Sequence, residues 1–493
     1  MPADTERVMS RGATGIARRD QSGFARQTSQ AVTAVSRWFV LLALLALFLI
    51  VPSASAGTQY WLTGKGWGHG IGMSQYGAQG FAQHGYSAHQ IIQYYYTGTT
   101  LGAAPPTADS IDVLLAEGRS NPRFQIDTDG ASISVSGTVT PLIMGDTLAV
   151  KFAGGTMKVT LTRDAADTVL AEATPDMIEL SGPDGALKTL FASDNGTTGR
   201  HYRGSLRLYV KDASISVVNH VGLDSYVRGV VPGEVPSSWL PATLQAQAIA
   251  ARSYALATAT STGIYDVHCD TRSQMYVGME AEAVSTDAAV AATPREVAYS
   301  DGAVIAAFFS STSGGRTAAV EDVWGGSPRA YLKSVPDPYE TSPYEVWQEH
   351  TTFTPAGLAT RLGLRGKVTS VSVTTNKSLR AATVSLTTGA GMTTMRGTAI
   401  QFRLGLRSTF FRLITVSILP SARKVPARHK VHLTGVAPKG AVLWALASAG
   451  SWKRVGVVTK KSGAWTKTVR VPRTTIYQLH VGSRLGPAVR VTV

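Results

Sequence analysis

The sequence predicts an α+β protein: a β-rich mixed core with a few helices, followed by a C-terminal all-β sandwich. Three observations support this prediction. Short stretches that alternate apolar and polar residues recur between Gly, Asp and Asn turns, which is typical of half-buried strands. An alanine-rich stretch at residues 244–256 has helical periodicity instead. Residues 416–493 form short apolar stretches between Gly and Pro turns, and their length suits a small sandwich.

Near the start of the sequence lies an apolar run of fourteen residues at 38–51, preceded by Arg37 and followed by Ala54-Ser55-Ala56. This pattern is typical of a signal peptide with a small-residue cleavage site. Fourteen residues are short for a membrane-spanning helix, which needs about 20. An uncleaved anchor is the alternative interpretation. We therefore expect a secreted or cell-wall-associated protein, cleaved near Ala56.

Charge is unevenly distributed along the chain, whose net charge is +15. Residues 351–493 contain 23 Lys and Arg but no Asp or Glu. Residues 1–350 hold the remaining 24 Lys and Arg and all 32 acidic residues. On an exported protein, a basic C-terminal region indicates anionic envelope polymers or lipid headgroups as partners, and export disfavours nucleic acid. A merely solvated basic surface is the alternative.

The changes in composition divide the chain into five parts. A leader is followed by a Gly- and aromatic-rich segment, a β-rich subdomain, a part that mixes strands with helix, and the basic β-sandwich. Their bounds are 1–56, 57–104, 105–205, 206–415 and 416–493. The single cysteine, Cys269, excludes an internal disulfide, so stability must come from apolar cores.

Within these parts, alternation predicts strands around residues 111–114, 132–135 and 157–161. Pro241 suits the first position of a helix, where a missing N–H costs nothing. Leu244, Ala248, Ala251 and Ala255 then follow at helical spacing and form one apolar face.

Ser87 and Gln90 form a capping box that predicts a second helix, which begins just before Ile91.

Glu234 is the first candidate for catalysis. It lies in a Pro-Gly-Glu-Val-Pro stretch that predicts a rigid turn, and the side chains expected to wall it are Val230, Val231, Val235 and Trp239. The nearby helix N-terminus lowers a carboxyl pKa, whereas burial raises it. A general acid needs the raised value, so burial must prevail. The alternative is a structural glutamate that caps the helix beginning at Pro241.

A second candidate is the stretch GKGWGHGIGMSQYGAQG at 64–80, where glycines alternate with larger residues from Gly64 to Gly72. In an extended chain this period places His69 and its alternating neighbours on one face. The other face is bare backbone, which allows close approach by another chain or a ligand. A tightly packed structural strand is the alternative.

Two further stretches carry polar groups. Residues 308–316, FFSSTSGGR, predict an apolar strand that enters a hydroxyl-rich loop suited to hydrogen bonding with sugars. This loop lacks the G-x-S-x-G pattern of serine hydrolases and the Gly-Lys-Ser/Thr of a P-loop. Trp324 nearby is either a stacking platform or a core residue. His268 and Cys269 suggest zinc, but no C-x-x-C partner exists, and Gln274 and Tyr276 are better candidates for lining a site.

Eight motifs together carry a family resemblance. They are YRGSLRLYV (202–210), NHVGLDSYVRGVVPGEVP (219–236), LQAQAIAARSYAL (244–256), SQMYVG (273–278), FFSSTSGGRT (308–317), YLKSVPDP (331–338), LRSTFF (406–411) and GHGIGMSQYGA (68–78). As a set they resemble the SpoIID/LytB family of bacterial cell-wall proteins over roughly residues 60–412. In that family the GHG-type segment follows the LRSTFF-like segment, so the order here is circularly permuted, and we expect residues 64–98 to return to the groove of Glu234.

The resemblance implies lytic transglycosylase activity on peptidoglycan glycan strands that lack stem peptides. Glu234 would be the catalytic acid and base, with no metal and no organic cofactor. The residues implied to line the glycan groove are Arg252, Tyr254, Gln274, Tyr276, Ser313, Gly314, His69 and Gln75. One carboxylate suffices, because the attacking hydroxyl is already part of the substrate. Asp224, Asp266 and Asp270 could supply a second carboxylate, so hydrolysis stays an alternative.

Two non-enzymatic functions are further alternatives. Relatives known as amidase enhancers stimulate an autolysin, so the chain could bind glycan and enhance an N-acetylmuramoyl-L-alanine amidase without cleaving anything. It could also be an adhesive surface protein in which the basic β domain does the binding.

Overall fold

The computed structural model describes residues 57–173, 175–260, 263–344, 346–347, 351–447, 450–459 and 461–493. The predicted signal peptide lies outside these residues. The chain divides into two compact units, Gln59–Val416 and a second that includes Ser417–Val493. In the described part of the chain, no helix combines the length and apolarity needed to cross a bilayer.

Every helix among the described residues belongs to the larger unit. In chain order they are α1 (Gln75–Gln83), α2 (Ala88–Tyr95), α3 (Leu223–Glu234), α4 (Pro241–Thr258), α5 (Val284–Ala291), α6 (Val320–Val323), α7 (Pro355–Arg361) and α8 (Gly397–Leu404), with a short 3-10 helix at Met279–Ala281.

Strands β1 to β24 accompany these helices. They are β1 (Thr58–Gly64), β2 (Met73–Ser74), β3 (Thr100–Ala103), β4 (Ser110–Arg119), β5 (Arg123–Ile126), β6 (Ala131–Val135), β7 (Thr138–Leu142), β8 (Thr147–Ala153), β9 (Thr156–Arg163), β10 (Ala166–Ala173), β11 (Ile178–Ser181), β12 (Leu187–Thr189), β13 (His201–Tyr202), β14 (Ser205–Lys211), β15 (Ser214–Gly222), β16 (Val267–His268), β17 (Glu296–Ser300), β18 (Ala303–Val304), β19 (Phe309–Ser310), β20 (Thr351–Phe353), β21 (Ser370–Thr375), β22 (Ala381–Thr388), β23 (Gly391–Arg396) and β24 (Phe411–Ser417).

Two large sheets build the first core. One has the strand order β16-β4-β15-β14-β11-β6-β7, and the other has the order β10-β9-β8-β5-β12-β13. Alternate residues point inward, as Ile133 in β6 and Val159 in β9 do, and both are fully buried. The predicted strands at 111–114, 132–135 and 157–161 lie within β4, β6 and β9, so these predictions are confirmed.

Helix α4 lies between this core and a second one. The predicted face of Leu244, Ala248, Ala251 and Ala255 packs into the first core. The opposite face, which includes Ile249, packs into a second core with α1 and α2. Because alanines allow close packing, one helix can serve both cores. Pro241 is its first residue, as predicted.

The capping box before α2 is also confirmed. Ser87 Oγ accepts a hydrogen bond from the Gln90 N–H, and the Gln90 side chain accepts one from the Ser87 N–H. This box starts α2, which buries Ile91 and Tyr95 in the second core.

The glycine-alternating stretch is not the extended strand that its period predicts. Strand β1 ends at Gly64, and the φ angles of Gly66, Gly68 and Gly70 are 72°, 104° and 72°. These positive angles turn the backbone at every second residue, and glycine adopts them without the steric penalty of a Cβ atom. The alternating side chains therefore do not share the single face that was predicted. Ile71 is fully buried, while Trp67 is 43% exposed.

The glycines allow other segments of the same chain to pack closely against this backbone. The Gly68 N–H donates to the Arg407 carbonyl at 2.9 Å, and the Trp67 N–H donates to the Thr312 carbonyl at 3.0 Å. A Cβ atom on Gly70 would lie 2.0 Å from the Arg380 guanidinium. This packing fixes the position of His69 between them.

The C-terminal unit has only strands among its described residues. They are β25 (Leu419–Pro420), β26 (His429–Ala437), β27 (Val442–Ala447), β28 (Lys453–Val457), β29 (Gly463–Val471), β30 (Thr475–Val481) and β31 (Arg484–Val491). They form two antiparallel sheets, ordered β25-β26-β29 and β28-β27-β30-β31. Both sheets bury alternate residues, such as Leu433 in β26 and Leu443 in β27. The predicted α+β class with a C-terminal β-sandwich is confirmed.

Candidate active site

Glu234 is the last residue of α3, and the turn predicted around it is wrong. The helix continues through Pro232, whose missing N–H falls in the last turn. It ends after Glu234 because Val235 precedes Pro236, and a residue before proline disfavours the helical region. Val235 is accordingly extended, with φ −136° and ψ 151°. The chain then turns toward α4.

Three donor contacts fix the Glu234 carboxylate and its main chain. Glu234 Oε1 accepts a hydrogen bond from the Met275 N–H at 2.8 Å. Gln75 Nε2 in α1 donates to Glu234 Oε2 at 3.4 Å and to the Glu234 carbonyl at 3.3 Å. The Gln75 amide is buried and also contacts Gln247 Oε1 of α4 at 3.5 Å. The carboxylate is therefore held in one orientation by groups from two segments, and Gln247 of a third contacts the Gln75 amide.

Burial raises the pKa of Glu234 above its ordinary value of 4.5. The hydrogen bonds from Met275 and Gln75 lower it, but burial is the larger effect. This is the balance that a general acid requires. The alternative interpretation, a cap for α4, is not realised: the N-cap is Leu240, and the Glu234 carboxylate accepts from Met275 and Gln75 instead.

Glu234 lies on the wall of a cavity of about 310 Å³. The other lining residues are aromatic or polar: His69, Tyr254, Thr271, Arg272, Ser273, Phe308, Phe309 and Trp324. Among these described lining residues, Glu234 is the only carboxylate. The valines predicted to wall Glu234 belong to the first core instead, because α3 turns that face toward the large sheets. Trp239 packs against Tyr76, with ring centroids 5.0 Å apart.

Aromatic rings form the apolar wall of the cavity. Phe308 contacts Trp324 edge-on at 4.8 Å and Tyr254 at 5.5 Å between ring centroids. Trp324 is 47% exposed, so its ring is accessible rather than part of a core. An exposed indole beside a carboxylic acid suits a ligand with an apolar face and polar edges.

His69 also lines the cavity, on the wall shared with Trp324, whose ring centroid is 5.1 Å away. Its Nδ1 accepts a hydrogen bond from the Ile71 N–H at 2.9 Å, so the neutral ring carries its proton on Nε2. Burial, assisted by the Arg380 charge, lowers the pKa of His69 to about 4. The imidazole is therefore neutral near pH 7. The structure thus brings together the two predicted residues His69 and Glu234.

Six predicted groove residues lie away from the cavity wall, and four of them have side chains bound inside the fold. Arg252 is fully buried, and its Nε donates to Asp224 Oδ1 at 2.8 Å. Gln274 Oε1 accepts from the Tyr226 hydroxyl at 2.9 Å, and the Tyr276 hydroxyl donates to Asn219 Oδ1 at 2.7 Å. Ser313 Oγ contacts the buried carboxylates of Asp337 and Glu340 at 2.9 and 2.5 Å. Each side chain is turned inward, where a partner inside the fold binds its polar group.

Gly314 accompanies Ser313: its N–H donates to Glu340 Oε1 at 3.3 Å. Gln75 reaches Glu234 but does not line the cavity. Tyr254 is a predicted residue that does.

Sequence reasoning missed the Thr271–Ser273 loop as a part of the cavity wall. Its signal was its position: Thr271 and Arg272 directly precede the SQMYVG motif, and Ser273 is the first residue of that motif. Arg272 is anchored by Asp270 at 2.9 Å and by Asp194 at 3.0 Å, which leaves its side chain 45% exposed at the cavity.

The three possible second carboxylates also have other partners. Asp224 and Asp270 pair with Arg252 and Arg272, and Asp266 Oδ2 accepts the Asp112 N–H at 3.0 Å. None of the three lines the cavity. Cys269 is buried with its thiol against the Leu115 carbonyl, and the described residues contain no cluster of three or more metal-ligating side chains.

Comparisons with known proteins agree with these features. Residues 211–299, which include α3, Glu234 and α4, match the family model of SpoIID, a stage II sporulation protein. An uncharacterised protein of Brachyspira hyodysenteriae is 37% identical over 141 residues, 28% of this chain and 38% of that protein. The Bacillus subtilis amidase enhancer is 39% identical over 101 residues, 20% of this chain and 14% of that protein.

The stage II sporulation protein D of Bacillus subtilis is 28% identical over 250 residues, which are 46% of this chain and 69% of that protein. The matched region thus spans less than two thirds of the length of the first two relatives and slightly more than two thirds of the length of the third. The chain thus carries a segment that matches the SpoIID family, residues 211–299, and this segment includes Glu234 and its two flanking helices.

Proposed function

We propose that the chain is an exported peptidoglycan-remodelling protein, a lytic transglycosylase that cleaves denuded glycan strands with Glu234 as general acid and base. One observation carries the proposal: a single carboxyl group with a raised pKa, fixed by Gln75 and Met275, lies on the wall of an aromatic-lined cavity. A carboxyl whose pKa is raised by burial is better suited to donate a proton than one at its ordinary value.

The proposed reaction needs one acid only. Protonated Glu234 donates its proton to the glycosidic oxygen as the C1–O bond breaks. The C6 hydroxyl of the same muramic acid attacks C1, and Glu234 takes up the hydroxyl proton. The products are a free saccharide end and a 1,6-anhydro sugar; no water is consumed, and Glu234 is protonated again. The nucleophile is tethered to the reacting sugar, so proximity supplies part of what a second catalyst would.

Simple hydrolysis is a weaker explanation of this cavity. It uses two carboxylates about 5–10 Å apart, one of which activates water or attacks the sugar. Glu234 has no carboxylate partner among the described lining residues, and Asp224 and Asp270 are paired with arginines.

The remaining lining groups suit a saccharide. Trp324 offers an exposed ring to the apolar face of a sugar, and the Thr271–Ser273 loop offers hydroxyls and the Arg272 guanidinium to its polar edge. Neutral His69 lies beside Trp324 and adds no charge to this wall. No metal or organic cofactor takes part in this chemistry.

A second function is supported by the relative named amidase enhancer. In that function the same cavity would hold glycan without cleaving it, and the protein would stimulate an N-acetylmuramoyl-L-alanine amidase.

Mass spectrometry of denuded glycan incubated with the purified chain separates the functions. We expect 1,6-anhydro ends with the wild type and none with Glu234→Gln, which keeps the side-chain shape but cannot donate the proton. Products heavier by one water would indicate hydrolysis instead. Glycan co-sedimentation is the control, and both proteins should bind equally. Binding without any cleavage by the wild type, together with faster release of stem peptides from intact peptidoglycan by an added amidase, would establish the enhancer function.

A further inference from the structure

The C-terminal unit contains a larger cavity, of about 700 Å³. One wall comes from the four-stranded sheet, with Ala445 of β27, Lys453 of β28 and Tyr477 of β30. The other comes from Thr468 and Arg470 of β29. The connection between β29 and β30, which includes Pro472 and Arg473, joins the two walls. The cavity is therefore a cleft where the two sheets of the sandwich meet.

The cations of this cleft lie in a stretch of sequence without acidic residues. Lys453, Arg470 and Arg473 are exposed at its walls. Residues 417–493 contain no Asp or Glu, so no acidic side chain of this stretch neutralises their positive potential. Clefts lined by charge of one sign concentrate the field and attract ligands of the opposite sign.

The shape selects among anionic partners. A bilayer surface is close to planar and cannot follow a concave cleft, whereas a single flexible chain can lie along it. The floor adds apolar contact through Val455 and Val469, and Ser451 and Thr468 add hydroxyls for hydrogen bonds. Tyr477 is buried, so no exposed aromatic ring of the described lining offers the stacking face that single-stranded nucleic acids use.

We propose that this cleft binds a linear anionic polymer of the cell envelope, whose repeated phosphate or carboxylate groups contact Lys453, Arg470 and Arg473. The site is independent of the proposed chemistry at Glu234, since it rests on the charge and shape of the C-terminal unit alone. Its role would be retention at the wall rather than catalysis.

Binding of the full chain to poly(glycerol phosphate) and to polygalacturonate, measured by calorimetry at two salt concentrations, tests the proposal. The cleft variant is Lys453→Gln, Arg470→Gln and Arg473→Gln together. Its matched control is Lys424→Gln, Lys430→Gln and Lys439→Gln, which removes the same charge from exposed positions outside the cleft. We expect the cleft variant to lose about tenfold in affinity and the control about threefold or less.

The two polymers distinguish a phosphodiester source from a carboxylate source, and tight, salt-sensitive binding of either one supports the cleft. Equal losses for the two variants would overturn the proposal, because the basic surface as a whole would then be the ligand site. Binding only to phosphatidylglycerol vesicles, or to neither polymer, would overturn it as well. Thermal unfolding of both variants at the wild-type temperature verifies that the sandwich is intact, and cleavage of glycan by the cleft variant should be unchanged.

Discussion

Gln75 Nε2 donates to both the carboxylate and the main-chain carbonyl of Glu234, at 3.4 and 3.3 Å, although 159 positions separate the two residues. The contact couples the N-terminal glycine-rich region to the end of α3. It also opposes the effect of burial, because a donor to the charged carboxylate lowers its pKa.

Gln75→Ala therefore tests a positioning role. We expect kcat to fall about fivefold to tenfold, the cost of one hydrogen bond of roughly 1 kcal/mol. Without the donor, the pKa of Glu234 rises further, so the decline of activity at high pH should move to higher pH. The pH profile of kcat checks this, with Gln83→Ala, an exposed residue of the same helix, as the control. A fall in activity with an unmoved profile would indicate a structural effect only.

Glu234→Gln should make the protein more stable at pH 7. The Glu234 carboxyl binds its proton more tightly in the folded state than in the unfolded state, where its pKa is near the ordinary value of 4.5. Stability is therefore lost as the pH rises from that value through the raised folded pKa. The amide has no such penalty, so the gain should be present at pH 7 and vanish below about pH 4. Thermal unfolding at both pH values measures it; a gain that is the same at both would contradict a titration effect.

Arg252→Met should destabilise the fold rather than alter substrate binding. The guanidinium is fully buried, and it bonds to Asp224 and to the Glu296 carbonyl at 2.8 Å each. Losing the guanidinium removes a buried charged donor from both groups, although Asp224 keeps the Arg295 N–H, and we expect a cost of roughly 2–4 kcal/mol. Urea unfolding reports the loss, while KM of the folded enzyme should be unchanged. A raised KM with normal stability would contradict this and indicate that Arg252 binds glycan directly.

Arg272→Ala is expected to have the opposite effect. Its side chain is 45% exposed at the cavity, so stability should change by about 1 kcal/mol or less. KM for glycan should rise about fivefold to tenfold with little change in kcat, because a lost ligand contact affects substrate and transition state alike. Steady-state kinetics on soluble glycan measure both constants. Arg295→Ala, which removes an arginine outside the lining, serves as the control. An unchanged KM would show that the Thr271–Ser273 loop does not take part in glycan binding.

The predictions that depend on local sequence patterns agree with the structure. The capping box at Ser87, the start of α4 at Pro241 and the alternation at 132–135 each depend on neighbouring residues only, and each was predicted correctly. The motifs likewise identified Glu234 and His69 as candidates, although their shared cavity depends on contacts across the whole larger unit.

The failures have a different physical origin. Glycine accepts both signs of φ, so period 2 from Gly64 to Gly72 could not distinguish a strand from a series of turns. The polar groups of Tyr276 and Ser313 resembled ligand contacts, but distant partners, Asn219 and Glu340, bind them inside the fold. Such partners leave no local trace in the sequence.

Helix α4 makes the two cores of the larger unit interdependent. It inserts alanines into one and Ile249 into the other, so neither core can loosen without disturbing its neighbour. Tyr254 projects from this shared helix, and Glu234 is joined to it by a six-residue connection. Partial unfolding of either core would therefore separate Glu234 from the aromatic wall of its cavity. The proposed cleavage activity would then be lost in a partly unfolded molecule.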